Sequence, residues 1–155
     1  MQDLTKYIHK ALIKSAKTIA TAESCTAGLV SNLLTQLSGS SKYFILGIVA
    51  YSNKSKQNIL SIPAQFIAKK GAVSAEVARK MAQGTRKLAK SDLGIGITGI
   101  AGPTGAILNK PVGTVFIAIS DKNNTICKRF IFQGNRASIR KQSALKALQL
   151  LKLVL

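Results

Sequence analysis

The sequence predicts an α/β fold, a three-layer α/β/α sandwich built on a mixed sheet of about five strands. Short β-prone runs alternate with segments whose apolar residues recur at helical spacing, a pattern typical of a sheet covered by helices on both faces. Near the end of the chain, two β-prone runs are separated by only a short polar segment, which predicts a hairpin. The sheet is therefore expected to be mixed rather than fully parallel.

The first half of the chain carries the patterns of two strands and three helices. They are a helix at 4–15, strands at 18–22 and 43–51, and two helices that end near residues 37 and 60. Ser24 or Thr26 is expected to cap the second helix, because small hydroxyl side chains accept hydrogen bonds from the first amides of a helix. The length and apolarity of the second strand predict a central position in the sheet.

The second half continues the alternation. Its elements are helices at 63–71 and 75–88, strands at 93–98, 113–120 and 126–133, and a last helix from 136 to 155. Ser74 and Asn135 are the expected caps of the second and third of these helices. The segment 99–112 is too long and too rich in Gly and Pro for a plain connection, so we expect it to be functional.

Composition limits the classes of function. The 155 residues suit a single domain, 1–155, and no apolar run is long enough to cross a membrane. Two cysteines make no disulfide framework, so a reducing cytoplasm is expected. The net charge of +18 suggests a nucleic acid or a phosphate-bearing substrate. The basic residues are scattered and not interleaved with aromatics, which makes a nucleic-acid partner the less favoured of the two.

Few residues are available for metal or nucleotide chemistry. The single histidine, His9, lies in the first helix and is expected to be a packing or surface residue. One histidine, two distant cysteines and five dispersed acids give no metal-ligand spacing, so no metal is expected. Residues 94–99 match G-x-G-x-x-G, but the first two glycines fall inside a strand and no helix follows at once, so we reject a dinucleotide site.

Hydroxyl chemistry with lysine as the base is what remains. Six serines and threonines are expected at strand ends or loop corners: Ser24, Thr26, Ser40, Ser41, Ser52 and Thr98. Lys56 follows the second strand by one helical turn. A lysine serves as a base for serine only if burial or neighbouring positive charge lowers its pKa. Spacing alone leaves open which hydroxyl would be the nucleophile.

Seven motifs occur in order along the chain. They are Thr-Ala-Glu-Ser-Cys-Thr-Ala-Gly-Leu at 21–29, Gly-Ser-Ser at 39–41, Tyr-Ser-Asn with a lysine at 51–56, Gly-Ala-Val-Ser at 71–74, Gly-Ile-Ala-Gly-Pro-Thr-Gly at 99–105, Lys-Pro-Val-Gly-Thr-Val at 110–115 and Gly-Asn-Arg at 134–136. Together they strongly resemble the CinA C-terminal domain family, whose activity is deamidation of nicotinamide mononucleotide. The amino-terminal domain of longer CinA proteins is not in this sequence, so the chain resembles the stand-alone form.

The resemblance implies a role for each of several residues. Ser41 is the implied nucleophile, Lys56 its base, and Tyr51 the residue that organises the pair. The implied substrate-binding residues are Ser24, Thr98, Gly99, Gly102 and Arg136, with Arg136 facing the substrate phosphate. The implied reaction forms an acyl-enzyme, releases ammonia and yields nicotinic acid mononucleotide, with no metal and no cofactor.

Two departures and two alternatives accompany this interpretation. Ala27 stands where the family usually has glycine, a mild change if its φ angle is negative, and Lys54 adds positive charge near Lys56. Glu23 is expected either to orient a loop or to transfer protons, and Cys25 to be a small buried residue rather than a nucleophile.

The alternative functions are a nucleic-acid or competence-related binding module and a serine–lysine hydrolase of another carboxamide. A homodimer through the leucine-rich last helix is also considered.

Overall fold

The computed structural model describes residues 2–155, which form five strands and six α-helices. The strands are β1 Ile19–Glu23, β2 Phe44–Val49, β3 Leu93–Gly99, β4 Thr114–Ser120 and β5 Thr125–Ile131. The helices are α1 Gln2–Ser15, α2 Leu29–Thr35, α3 Asn53–Leu60, α4 Ala64–Lys70, α5 Ala75–Ala89 and α6 Arg136–Lys152. One 3₁₀ turn, Ser40–Lys42, precedes β2.

The strands form one mixed sheet in the order β2-β1-β3-β4-β5. The first three strands of this order run parallel, and β4 and β5 are antiparallel to their neighbours. Helices α1, α2 and α6 pack on one face, and α3, α4 and α5 on the other. The predicted three-layer α/β/α sandwich is confirmed.

The position predicted for the second strand is wrong. β2 lies at the edge of the sheet, and its residues alternate between half-buried and exposed. Ile45 and Val49 are each about half exposed. A continuous apolar run does not distinguish an edge strand from a central one, and the central strand is instead β3, which is buried along almost its whole length.

The start of α2 also differs from the prediction. Neither Ser24 nor Thr26 caps this helix, because its N-cap is Gly28, which has a φ of 94°. The Glu23 carboxylate reaches over from the end of β1 and accepts hydrogen bonds from amides of the first turn. The other two predicted caps are confirmed: Ser74 and Asn135 each accept a hydrogen bond from an amide in the first turn of their helix.

Two glycines of the rejected dinucleotide motif have a packing role. Gly94 and Gly96 lie in β3 beneath α5, where a Cβ atom would overlap the carbonyl oxygens of Ala82 and Ala78. Glycine therefore lets α5 approach the centre of the sheet closely. This contact accounts for the glycine spacing without a nucleotide.

His9 is a half-buried packing residue, in keeping with the expectation. Its Nδ1 atom lies 3.1 Å from the Tyr43 hydroxyl, and the Tyr43 hydroxyl donates to the Leu34 carbonyl at 2.6 Å. This short chain of contacts ties α1 to the segment between α2 and β2.

Membrane-spanning helices are not found within residues 2–155, where each helix is too short or too polar to cross a bilayer.

Candidate active site

A pocket of about 210 Å³ lies at the carboxyl ends of β1 and β3, where α3 and α6 begin. In open α/β sheets, ligands characteristically bind at this edge. The pocket is lined by Ser24, Cys25, Tyr51, Asn53, Lys56, Ala72, Val73, Thr98, Gly99, Ala101 and Arg136. The structure thus brings together six of the predicted site residues.

Lys56 is the unusual group in this pocket, because it is a lysine with only 1% of its surface exposed. Its Nζ atom lies 2.8 Å from the Ala50 carbonyl oxygen, 3.0 Å from that of Tyr51, and 3.2 Å from the Ser24 Oγ atom. Burial lowers the pKa of the amine below its ordinary value, since a charged ammonium loses hydration there. Burial is the cause of this shift, and the positive charge expected from Lys54 is not among its causes.

The three contacts of Lys56 match the three N–H donors of its ammonium form and also allow the neutral amine. A neutral amine has two N–H donors and one lone pair, and the two carbonyl oxygens of Ala50 and Tyr51 accept the two donors. In the structure Lys56 Nζ donates to the Ser24 Oγ atom. Once the amine loses a proton, its lone pair would face Ser24, whose hydroxyl could then donate to it. The pair has the geometry of a serine nucleophile beside its general base.

The turn that carries Ser24 is held from several sides. The Ser24 amide donates to the Ile97 carbonyl of β3 at 3.0 Å, which fixes the residue to the end of the neighbouring strand. The Arg140 side chain of α6 donates to the carbonyl oxygens of Cys25 and Thr26 at 3.1 and 3.0 Å. The hydroxyl group of Ser24 is therefore placed by contacts with both β3 and α6.

Within one chain, the structure does not bring Ser41 beside Lys56, the base with which the resemblance pairs it. Ser41 is exposed in the 3₁₀ turn before β2, whereas Lys56 follows the opposite end of that strand. Six strand residues at roughly 3.3 Å each separate the two ends by about 20 Å. A serine at that distance cannot give its proton to Lys56, and the hydroxyl that lies beside the amine is that of Ser24.

Arg136 and Tyr51 form the rim of the pocket. The Arg136 guanidinium donates to the Tyr51 hydroxyl and to the Gly102 carbonyl, each at 2.9 Å. Tyr51 supports Lys56 through its backbone carbonyl and not through its phenol. Gly102 belongs to the long loop after β3, so Arg136 joins this loop to the start of α3.

Thr98 and Gly99 form the end of β3 and the floor beside Ser24. The Thr98 hydroxyl donates its proton to the Ala72 carbonyl oxygen at 2.8 Å. The lone pairs of the hydroxyl oxygen remain free to accept a hydrogen bond from a ligand. β1 and β3 are neighbouring parallel strands, so Ser24 and Thr98, two predicted site residues, lie at adjacent strand ends.

Cys25 is a buried structural residue, as expected. Burial raises the pKa of its thiol to about 12, so the thiolate is negligible near neutral pH. The raised pKa makes Cys25 a poor candidate for a nucleophile.

Two contributors to the site were not assigned such roles from the sequence. Asn53 lines the pocket, and Arg140 holds the Ser24 turn. A signal existed for each: Asn53 lies between Tyr51 and Lys56, and Arg140 follows Arg136 by one helical turn.

The two departures from the family pattern have defined surroundings. Ala27 has a φ of 48°, in the left-handed region, so the condition of a negative φ is not met and the alanine is strained there by about 1 kcal/mol. Lys54 is exposed on α3 and does not enter the pocket.

Among residues 2–155, no three His, Cys, Asp or Glu side chains gather closely enough to hold a metal ion.

Glu23 organises the segment next to Ser24. Its buried carboxylate accepts hydrogen bonds from the amides of Gly28, Val30 and Ser31 and from the Ser31 hydroxyl, at 2.7–3.1 Å. This set of contacts favours the loop-orienting role of Glu23 over proton transfer.

Replacing Glu23 by Gln is expected to lower the free energy of unfolding by about 2–4 kcal/mol. The substitution replaces one accepting oxygen by an NH₂ group, which would face the N–H and O–H donors at the start of α2 without an acceptor. Urea denaturation followed by circular dichroism measures the effect. The control is Glu76→Gln, which removes an exposed ion pair with Lys70 and is expected to cost less than about 1 kcal/mol. Equal effects of the two substitutions would contradict the role assigned to Glu23.

Comparisons with known proteins give a consistent result. Residues 1–155 match the model of the CinA C-terminal domain. A CinA-like protein from Geobacter sulfurreducens is 48% identical over 135 residues, which are 87% of this chain and 33% of the relative. A putative competence-damage inducible protein from Thermoanaerobacter is 41% identical over 97% of this chain and 37% of its own length. The chain thus spans about a third of the length of the curated relatives it matches.

Solved structures show the same fold. A competence-damaged protein (CinA) superfamily protein from Escherichia coli superposes with a TM-score of 0.94 at 32% identity, covering 98% of this chain and 88% of that one. The competence/damage inducible protein CihA from Agrobacterium tumefaciens gives a TM-score of 0.94 at 33% identity, covering 97% and 93%.

Proposed function

Because the chain belongs to the CinA C-terminal domain family, we propose that it hydrolyses the carboxamide of nicotinamide mononucleotide to nicotinic acid mononucleotide and ammonia. The observation that carries the proposal is the buried Lys56 amine 3.2 Å from the Ser24 hydroxyl, in a pocket with Arg136 at its rim. Ser24 is the proposed nucleophile in place of Ser41.

The proposed reaction has two halves. In the first, neutral Lys56 takes the Ser24 proton, and the Ser24 oxygen bonds to the carboxamide carbon. The resulting tetrahedral intermediate collapses when Lys56 returns the proton to the nitrogen, which leaves as ammonia. In the second half, Lys56 takes a proton from water, the hydroxide attacks the ester carbon, and the acid product leaves as Ser24 regains its proton.

The proportions of the pocket suit this substrate. A volume of about 210 Å³ accommodates the pyridine ring and part of the ribose, with the carboxamide at Ser24. The phosphate would then lie at the exposed rim, where Arg136 offers a guanidinium that can exchange its present carbonyl and phenol partners for phosphate oxygens. The nucleophile and the base are both side chains of this chain, so the proposed steps use no metal.

Ammonia release from nicotinamide mononucleotide by the purified protein, in the presence of a chelator, tests the proposed function. Ammonia in equal amount to nicotinic acid mononucleotide is the expected result. A folded sample that releases none would refute this activity and favour another carboxamide substrate.

Arg136→Ala is expected to raise the KM for nicotinamide mononucleotide by about 10- to 100-fold, because a charge-assisted contact to phosphate is lost. The turnover number should change much less, since the guanidinium contacts the Gly102 carbonyl and the Tyr51 hydroxyl, and not Ser24 or Lys56. Steady-state kinetics on nicotinamide mononucleotide and on the phosphate-free nucleoside separates the two effects. The variant and the parent should differ little on the nucleoside; an equal loss on both substrates would contradict phosphate binding by Arg136.

Two further features of the proposal concern the protein's surroundings. We place the reaction in the cytoplasm as a step of pyridine nucleotide salvage, in keeping with two unpaired cysteines. A homodimer stays a proposal as well, and sedimentation velocity would test it. The leucines of α6 are not available for it, because Leu148 and Leu151 are buried in the core and Leu145 packs against that core.

A further inference from the structure

A group of basic residues lies at the end of the sheet opposite the pocket, where β1 and β3 begin and β4 ends. It comprises Lys17 before β1, Arg79, Arg86 and Lys87 on α5, and Lys122 in the turn between β4 and β5. These five residues, which we call the basic cluster, line two adjoining cavities of about 410 and 320 Å³. The two cavities share Arg86, Asp121, Lys122 and Asn123.

Two acidic residues nearby, Asp121 and Asp92, offset part of the charge of the basic cluster without forming ion pairs with it. Hydrogen bonds are the main cause that lowers the pKa of each carboxyl, and Arg86 or Lys17 contributes less. Asp121 uses one carboxylate oxygen to accept from the amides of Asn123 and Asn124 at 2.7 and 2.6 Å. Asp92 accepts from the amide and hydroxyl of Thr18, each at 2.8 Å. Within residues 2–155 no carboxylate lies within 4.0 Å of any cation of the basic cluster.

The neutral polar groups of the cavities are also paired with one another. The Gln83 amide donates to the Thr125 hydroxyl, which donates in turn to the Ser120 hydroxyl. In contrast, the Nε atom of Arg86 is buried and has no hydrogen-bond partner in the described part of the chain. The Arg86 side chain as a whole is only partly buried and lines both cavities, so the other N–H groups of its guanidinium are the ones that an anion in the cavities would contact.

We propose that the basic cluster binds a ligand with two or more linked phosphate groups. Two arginines can each grip phosphate oxygens with a planar fork, and three lysines add charge around them. The adjoining cavities have room for more than one phosphate. No aromatic side chain lines either cavity, so the site recognises phosphates and not bases. This site is separate from the proposed catalytic pocket, from which a strand length of about 20 Å divides it.

Titration of the ¹⁵N-labelled protein with pyrophosphate, followed by amide chemical shifts, tests the proposal. The expected result is saturable shifts at residues 121–125, with binding that weakens as salt rises. The double variant Arg86→Gln/Lys122→Gln is expected to weaken binding by at least about tenfold. The matched control Lys6→Gln/Lys10→Gln removes the same charge from exposed positions of α1 and should leave binding unchanged.

Two further arms identify the site and the source of the phosphates. Arg136→Ala should leave the shifts at 121–125 intact, which separates this site from the catalytic pocket. A short oligothymidylate that competes with pyrophosphate would show that a nucleic-acid backbone supplies the phosphates, and failure to compete would indicate a small diphosphate. Absence of binding, or equal weakening by the cluster and control variants, would overturn the proposal.

Discussion

Replacing Ser24 by Ala is expected to reduce the turnover of nicotinamide mononucleotide by at least about 10⁴-fold, because the nucleophile is removed. The substitution deletes one oxygen from a nearly buried position, so the fold should be retained. Ammonia release measures the loss, and circular dichroism verifies folding.

The matched control for this prediction is Ser41→Ala. Ser41 is exposed before β2 and remote from Lys56, so its removal is expected to leave turnover within about twofold of the parent. An inactive Ser41→Ala protein together with an active Ser24→Ala protein would overturn the assignment of the nucleophile.

Replacing Lys56 by Met is expected to lower turnover by about 10³-fold or more, because the base for Ser24 disappears while the volume of the side chain is retained. The control Lys54→Met removes an exposed lysine from the same helix, and its activity should equal that of the parent.

The pH dependence of the parent protein adds a second readout on Lys56. Burial lowers the pKa of this amine, so the neutral, base-competent form becomes abundant at a lower pH than for an exposed lysine. We expect kcat/KM to rise with pH through the pKa of Lys56, with a midpoint below the ordinary lysine value of 10.5. A rising limb centred at 10.5 or above, or one that persists unchanged in Lys56→Met, would contradict the role of Lys56.

The layered fold followed from the sequence because its signals are local. Apolar spacing and cap residues such as Ser74 and Asn135 depend on neighbours within one or two turns, and both caps are present in the structure. The position of β2 depends instead on which strands pair. Its apolar run suits either an edge or a centre, and only the completed sheet places it at the edge.

The candidate site was predicted in its composition but not in its pairing. The pocket contains Ser24, Tyr51, Lys56, Thr98 and Arg136, all of which the resemblance had implied as site residues. Choosing between Ser24 and Ser41 required knowing at which end of β2 each serine lies. That is a property of the parallel pairing of β1 with β2, which brings Glu23 level with Val49 and leaves Ser41 at the other end.

The distribution of charge on the surface could likewise not be predicted from the sequence, as the basic cluster shows. Its members are spread from Lys17 to Lys122, and in the sequence they look evenly dispersed. Folding brings them together because the segment before β1, part of α5 and the turn between β4 and β5 meet at the same end of the sheet. A scattered sequence distribution therefore did not imply a uniform surface.

Identifying the residue that becomes acylated tests the central claim most directly. The protein would be mixed with nicotinamide mononucleotide, quenched in acid within the first turnover, digested and analysed by mass spectrometry. We predict an ester of the nicotinoyl nucleotide on the peptide that contains Ser24, and none after Ser24→Ala. An ester on the Ser41 peptide, or one that still forms in Ser24→Ala, would contradict the account.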